Sequence, residues 1–197
     1  MARREQRAVQ SRFSIETRED GALPTIVGYA AVYEAETVIF NMFREKLRRG
    51  AFRRAVEARQ DVRALFNHNP DFLLGRVGAG TLRLYDDDHG LRVEIDPPDT
   101  PTGREVVELI RRGDIYGMSF GFIPTRVSWE QADESGLGLR VVEDVDLVDV
   151  SPVTYPAYEQ TEVGIRSSAE AVIQERTRQL RSAYQVMRMR LRLAETA

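Results

Sequence analysis

One serine and two histidines carry most of the chemistry available to this chain of 197 residues. Ser119 stands in Gly117-Met118-Ser119-Phe120-Gly121. That run fits the G-x-S-x-G frame in which a glycine-flanked turn holds a serine out as a nucleophile. A serine hydroxyl is a poor nucleophile alone and needs a base, most often an imidazole, to take its proton. The two histidines, His68 and His89, both precede Ser119. An α/β-hydrolase runs Ser, then Asp or Glu, then His, so that order is all but excluded. Chymotrypsin and subtilisin place the serine last, so an acid after Ser119 excludes them too. Glu143, Asp144, Asp146 and Asp149 all follow it. What remains is the order His, Ser, acid, which is rarer and more diagnostic.

Each of these residues also has a plainer reading. Ser119 would serve as a small polar residue packed in a glycine-rich strand. His68 would cap the turn before Pro70. His89, inside Asp86-Asp87-Asp88-His89-Gly90, reads as a solvent-exposed turn residue.

Composition narrows the class. Hydrophobic residues make up 42% and charged residues 30%, which is ordinary for a soluble globular protein. The absence of cysteine removes disulfides, thiolate metal sites and a cysteine nucleophile. With two distant histidines a zinc site would need mostly carboxylate ligands, so neither a metal nor a cofactor is expected. No apolar run approaches the ~20 residues that span a membrane, and the first residues lack the apolar core of a signal peptide. The expectation is a cytoplasmic protein. A net charge of −3 argues against nucleic-acid binding by the whole chain. The charge is uneven, with Arg3, Arg4, Arg7 and Arg12 at one end and a second basic run from Arg176 to Arg192 at the other.

The elements that must position the candidates follow from periodicity and punctuation. Residues 1–12 read as a disordered basic segment. Thr25 to Tyr33 reads as a core strand, and Phe43 to Ala58 as a helix broken near Gly50. Val62 to Phe66 is a short buried strand that delivers Asn67-His68-Asn69-Pro70 to its end. Phe72 to Val77 and Gly80 to Tyr85 are further strands. The acidic turn at 86–90 leads into the alternating strand Leu91 to Ile95, which makes a hairpin. Thr102 and Glu105 form a capping box. Val106, Leu109 and Ile110 give the apolar face of the helix that follows, and Gly113 stops it. Ile115 to Ile123 is the strand that carries Ser119. Val127 to Trp129 pairs with Leu139 to Val142 across a polar turn, and Val145 to Val150 is a strand rich in acids, ended by Pro152 and Pro156. Beyond Ser167-Ser168, the spacing of Ile173, Leu180, Tyr184, Met187 and Leu191 predicts an amphipathic helix with arginines on its other face.

In order and spacing these segments resemble the caudoviral prohead proteases, the capsid maturation proteases of tailed phages, over residues 25–166. The marks are GYAAVYE at 28–34, EKLRRGAF at 45–52 (read as helix), ALFNHNPDFLLGRV at 64–77, GREVVELIRRGDIYGMSFGF at 103–122 and LVDVSPVTYPAY at 147–158. That family is similar in fold to herpesvirus assemblin. The resemblance therefore implies an α+β fold, a β-barrel surrounded by helices, here with a C-terminal amphipathic helix. It implies that His68 is the general base and Ser119 the nucleophile, and it puts Asp149 at the place of the third member. Assemblins have a second histidine in that role. No histidine follows Ser119 here, so a carboxylate must take it. Strand alternation agrees: Leu147, Asp149 and Ser151 share one face and Asp146 takes the other, and an inward aspartate needs a partner. Glu143, Asp144 and Asp146 are the competitors, and Gly121 would relieve crowding beside the nucleophile.

The expected protein is a serine endopeptidase that cuts phage scaffold protein, major capsid protein and itself inside an assembling prohead in the host cytoplasm. The expected domains are a disordered basic N-terminus at 1–12, a protease domain at 13–167 and an amphipathic helical tail at 168–197. Glu159 to Ser168 is the expected region of self-cleavage. Likeness to assemblins implies a homodimer joined through the apolar side of a helix. The alternatives are a small-molecule serine esterase or amidase with the same three residues, and a catalytically silent capsid scaffold component.

Overall fold

The computed structural model describes residues 4–19, 21–132, 134, 136–156, 170, 172–178, 180, 181 and 185. The chain divides into two compact units, Met1–Gln160 and Thr161–Ala197. Residues 172–178 of the second unit are helical. Tyr184, Met187 and Leu191 of the expected seam, and the region Glu159 to Ser168, lie outside the described residues.

The first unit is mostly strands with few helices. Its elements are β1 (Glu5–Gln10), β2 (Ser14–Glu16), β3 (Thr25–Val32), β4 (Thr37–Ile39), β5 (Phe43–Leu47), α1 (Arg53–Glu57), β6 (Arg63–Phe66), β7 (Asn69–Arg76), a 3-10 turn (Val77–Ala79), β8 (Leu82–Asp86), β9 (Gly90–Ile95), α2 (Pro101–Arg112), β10 (Gly117–Glu130) and β11 (Leu139–Val153). A seven-stranded sheet runs β1-β10-β11-β5-β4, with β6 pairing both β11 and β7. A four-stranded sheet runs β2-β3-β9-β8. One buried cluster draws on both sheets and both helices. Ile26, Val93 and Ile95 come from the smaller sheet, Phe120, Phe122, Leu147 and Val150 from the larger, and Ala55, Val106 and Ile110 from the helices.

The sheets differ from the expected barrel in one respect: neither closes on itself. The larger sheet does curl. The β10–β11 ladder has register breaks at Gly121/Phe122, Pro124/Arg126 and Arg126/Val127, and such bulges increase local twist. As a result β1, separated from β5 by two strands, reaches it through side chains. Arg7 of β1 bonds Glu45 of β5 at 2.5 and 3.0 Å.

Three local expectations are corrected. The N-terminal segment, expected to be disordered, forms β1 over Glu5–Gln10 and pairs antiparallel with β10. Its polarity signalled disorder because the charges that receive it, Glu45 and Arg140, are far away in sequence. The expected helix from Phe43 to Ala58 is strand β5, a turn at Gly50 and the five-residue α1. Glu45, Lys46 and Leu47 favour helices alone, but parallel pairing with β11 overrides that preference. Helix α2 begins two residues early, with Thr100 as its N-cap accepting from the Gly103 N–H at 3.2 Å. Pro101 then fills N1, where its missing N–H costs nothing. Gly113 ends the helix as expected, at φ 82°.

The cap assignment can be tested directly. Thr100→Ala should destabilise the fold by about 1 kcal/mol. Thr102→Ala should stay within about 0.5 kcal/mol of the parent. Urea denaturation midpoints of the two variants separate these outcomes.

Candidate active site

Three strands and one hairpin turn bring the candidate residues together. Ser119 is the third residue of β10, flanked by Ala8 on β1 and Ser151 on β11. It is buried at 4% exposure and sits on no elbow turn. The glycines of its frame serve space rather than turn geometry, and neither has a positive φ. A Cβ on Gly117 would fall 2.0 Å from the Pro156 side chain. One on Gly121 would fall 2.2 Å from Asp149 Oδ1. The G-x-S-x-G run is thus a packing requirement here and not the turn that the sequence predicts.

His68 comes from the β6–β7 hairpin. Phe66 pairs with Asn69, so Asn67 and His68 are the two loop residues. Their φ values are 53° and 57°. Two central residues with positive φ mark the type I′ turn that matches strand twist. Glycine usually fills its second position, and His68 stands there instead. Asparagine and histidine tolerate this left-handed backbone better than most residues. Neighbouring bonds fix the turn: the Asn67 N–H donates to the Pro152 carbonyl at 3.1 Å, and the Thr154 N–H donates to Asn67 Oδ1 at 2.9 Å. A strained residue held by its surroundings is a common mark of a functional site. The turn expected before Pro70 is thus a two-residue hairpin turn with Asn67 and His68 at its centre.

His68 Nε2 lies 2.6 Å from Ser119 Oγ, and its Nδ1 is hydrogen-bonded to Asp149 Oδ2. Asp149 is almost wholly buried. Burial pushes its carboxyl up, but the bond and charge of His68, the charge of Arg4 and the Ser151 hydroxyl outweigh this and bring it below the usual carboxylate range. An ionised carboxylate only accepts hydrogen bonds. In the neutral ring the proton is therefore on Nδ1, and Nε2 turns a lone pair to the serine.

Ser151, which sequence reasoning used only as a face marker, ties the group together. Its hydroxyl donates to Asp149 Oδ2 at 3.2 Å and accepts the His68 backbone N–H at 3.3 Å. Asp149 Oδ1 takes Arg4, a second residue that the sequence did not single out.

The competing acids are engaged elsewhere. Glu143 meets Arg48, Arg126 and the Ser128 hydroxyl. Asp144 and Asp146 share Arg54, and Asp146 also accepts from Gln60 at 2.8 Å. His89 is exposed in the β8–β9 turn, edge-on to Tyr29 at 4.6 Å between ring centroids. Among the described residues no cluster of three or more His, Cys, Asp or Glu could hold a metal ion. No described helix is long and apolar enough to cross a membrane.

A serine, an imidazole and a buried carboxylate linked in this order can activate a hydroxyl for acyl transfer. A sequence model of the caudovirus prohead serine proteases matches residues 11–175. The chain belongs to that family. It is therefore a serine protease of the capsid maturation type. In structure it is similar to the capsid assembly protease of bacteriophage T4, at 15% identity and a TM-score of 0.47, covering 76% of this chain and 98% of the other. No curated protein sequence matches the chain significantly.

Two outcomes follow from the geometry. Gly121→Ala drives a methyl into the Asp149 carboxylate, so it should destabilise by about 1–3 kcal/mol and lower peptide cleavage, as read by denaturation and a fluorogenic assay on the same sample. The second concerns acid. Asp149 and Glu45 both have folded pKa values below their ordinary ones; for Glu45 burial opposes this and Arg7 and Arg140 outweigh it. Their contribution to stability is complete above the unfolded carboxylate value of ~4 and is lost as pH falls through the depressed folded values. Denaturation midpoints should vary little on account of these groups from pH 7 to 5 and drop below about pH 4. The penalty of Asp149→Asn should shrink over the same fall.

Proposed function

We propose that Ser119 is the nucleophile, His68 the general base and Asp149 the orienting carboxylate of this protease, and that its substrates are phage scaffold and major capsid protein segments, and its own chain, inside an assembling prohead in the host cytoplasm. The observation that carries this reading is the continuous linkage Ser119 Oγ, His68 Nε2, His68 Nδ1, Asp149 Oδ2, in a chain of a serine protease family. His68 takes the Ser119 proton as Oγ attacks the scissile carbonyl carbon, then delivers it to the leaving amine. Water later enters by the same route in reverse, with His68 again as base. Asp149 fixes the imidazole tautomer and stabilises the imidazolium that forms. The left-handed turn at His68 suits this work, since a residue locked in one backbone conformation keeps its ring aligned without further ordering.

In this reading the protease domain spans 13–167, with β1 joined to its sheet in front and the helical tail of 168–197 behind. Cleavage between Glu159 and Ser168 separates the tail. A homodimer joined through a helix face, as in assemblins, belongs to the same reading, as does the assemblin-like barrel, with the curled sheet as its open counterpart.

Variants of the linkage test the roles. Ser119→Ala should keep the fold and abolish processing of coexpressed scaffold, as read by mass spectrometry; unchanged processing would sink the assignment. His68→Ala should lose activity while His89→Ala stays near the parent. Asp149→Asn should lower turnover by something on the order of 10²–10⁴. Asp146→Asn, whose carboxylate meets Arg54 and Gln60 rather than His68, should change it little.

A further inference from the structure

Strand β1 lies across the nucleophile. Ala8 is the register partner of Ser119, and the Arg7 carbonyl oxygen sits 2.9 Å from Ser119 Oγ. The serine hydroxyl has one proton, and two acceptors face it: this carbonyl and His68 Nε2. While the Arg7 carbonyl takes that proton, the imidazole cannot. Arg4, at the start of the same segment, bonds the Asp149 oxygen that His68 leaves open. Strand β1 and the residue before it thus touch both ends of the proposed catalytic linkage.

The way β1 is attached is unlike the rest of the sheet. Its sequence, Glu-Gln-Arg-Ala-Val-Gln, offers Val9 as its one large apolar side chain. Attachment rests on the ladder to β10 and on charge. Glu5 accepts from Arg140 at 2.8 Å through both oxygens. Arg7 bonds Glu45 at 2.5 and 3.0 Å. Glu45 and Arg140 are themselves register partners on β5 and β11 and bond each other. They would stay paired if β1 left, each with bonding capacity to spare. Buried ion pairs of this kind contribute little net stability relative to a well-packed apolar replacement. Strand β1 also lies in front of residues 11–175, the part that matches the protease family.

We propose that β1 is an intramolecular occupant of the peptide-binding edge of β10, that an extended substrate segment replaces it strand for strand, and that Glu45 and Arg140 are specificity-determining residues that read a basic side chain at the Arg7 position and an acidic one at the Glu5 position. This rests on Ser119 being the nucleophile. Strand addition supplies affinity through the backbone while alternate side chains supply selection. The preferred substrate is then an extended segment with an acidic residue two positions before a basic one, whose carbonyl lies at Ser119. The free chain is self-blocked, and a substrate's apparent affinity is lowered by the fraction of molecules in which β1 is undocked.

The test uses the full chain and two variants. Arg4→Ala/Glu5→Ala weakens docking and leaves Arg140 paired with Glu45. Val9→Cys/Met118→Cys places two thiols opposite each other across the ladder in a chain without native cysteines, so that oxidation, verified by thiol titration, locks β1. The readout is the rate at which a fluorophosphonate labels Ser119. The double alanine variant should label roughly tenfold faster, because a small open fraction rises in proportion as docking weakens. The locked form should label at least about tenfold slower than the same protein reduced. A synthetic peptide of residues 4–10 should slow labelling of the double alanine variant, and the same peptide with its Glu and second Arg exchanged should not. Equal labelling in all forms, with Ser119 reactive throughout, would overturn the occupant role of β1. Equal inhibition by both peptides would overturn the roles of Glu45 and Arg140. If Ser119 labels in no form, the nucleophile assignment itself fails, an outcome distinct from the other two.

Discussion

The bond between the buried Asp149 carboxylate and the His68 ring is the constraint on which the arrangement depends. A carboxylate removed from water is costly unless it is paired and hydrogen-bonded. Asp149 therefore needs partners in place, His68 from the β6–β7 hairpin and Ser151 two residues along its own strand, with Arg4 as a further one at the surface. Meeting that need fixes the parallel pairing of β6 with β11, where Asp149 stands beside Arg63 and Val150 beside Ala64. It also fixes the identity of residue 121, since any side chain there would occupy the space of the carboxylate. The serine then has its place through the opposite pairing, Ser119 against Ser151. Two ladders on β11 and β10 thus determine three side chains.

The parts of this arrangement legible in the sequence are those written in local chemistry. The hairpin of β8 and β9 was announced by its acidic turn and alternating strand. The end of α2 was announced by Gly113. The face shared by Asp149 and Ser151 followed from the period of two, but Leu147, expected on the same face, lies across a bulge, pairs with Phe122 and joins the core. Chain order left His68, Ser119 and a later acid as the group to look for. What failed to show depends on partners distant in the chain. Strand β5 resembles a helix in isolation because Glu45, Lys46 and Leu47 suit one; its ladders to β4 and to β11, the latter nearly a hundred residues on, make it a strand. Strand β1 looks like a solvated basic tail because its receiving charges, Glu45 and Arg140, are invisible nearby. The two glycines around Ser119 were visible, but their purpose was not, since steric room is a property of the packed neighbours rather than of the pentapeptide.

The larger sheet reconciles two opposed demands. A catalytic group needs a dry, fixed surrounding, which the apolar side of β10 provides through Phe120 and Phe122, stacked at 5.0 Å and wholly buried. A peptide substrate needs an accessible backbone edge. Because the sheet curls without closing, one strand can contribute to the core through one face and present its hydrogen-bonding edge to another segment. A fully closed barrel would leave no such edge.

The pairing of β1 with β10 also has a consequence for how the chain becomes structured. Arg7 and Ser119 are separated by 112 residues, so the N-terminal strand leaves the ribosome long before its partner exists. At ~5–20 residues per second, β1 waits on the order of ten seconds as an unpaired strand. Closing a loop of that length forfeits chain entropy that few apolar contacts in β1 can offset. The ladder between β10 and β11, joined by a short turn, has no such delay. The order of assembly is then set by topology: β10 is in place before β1, and the segment synthesised earliest is the last to join the sheet.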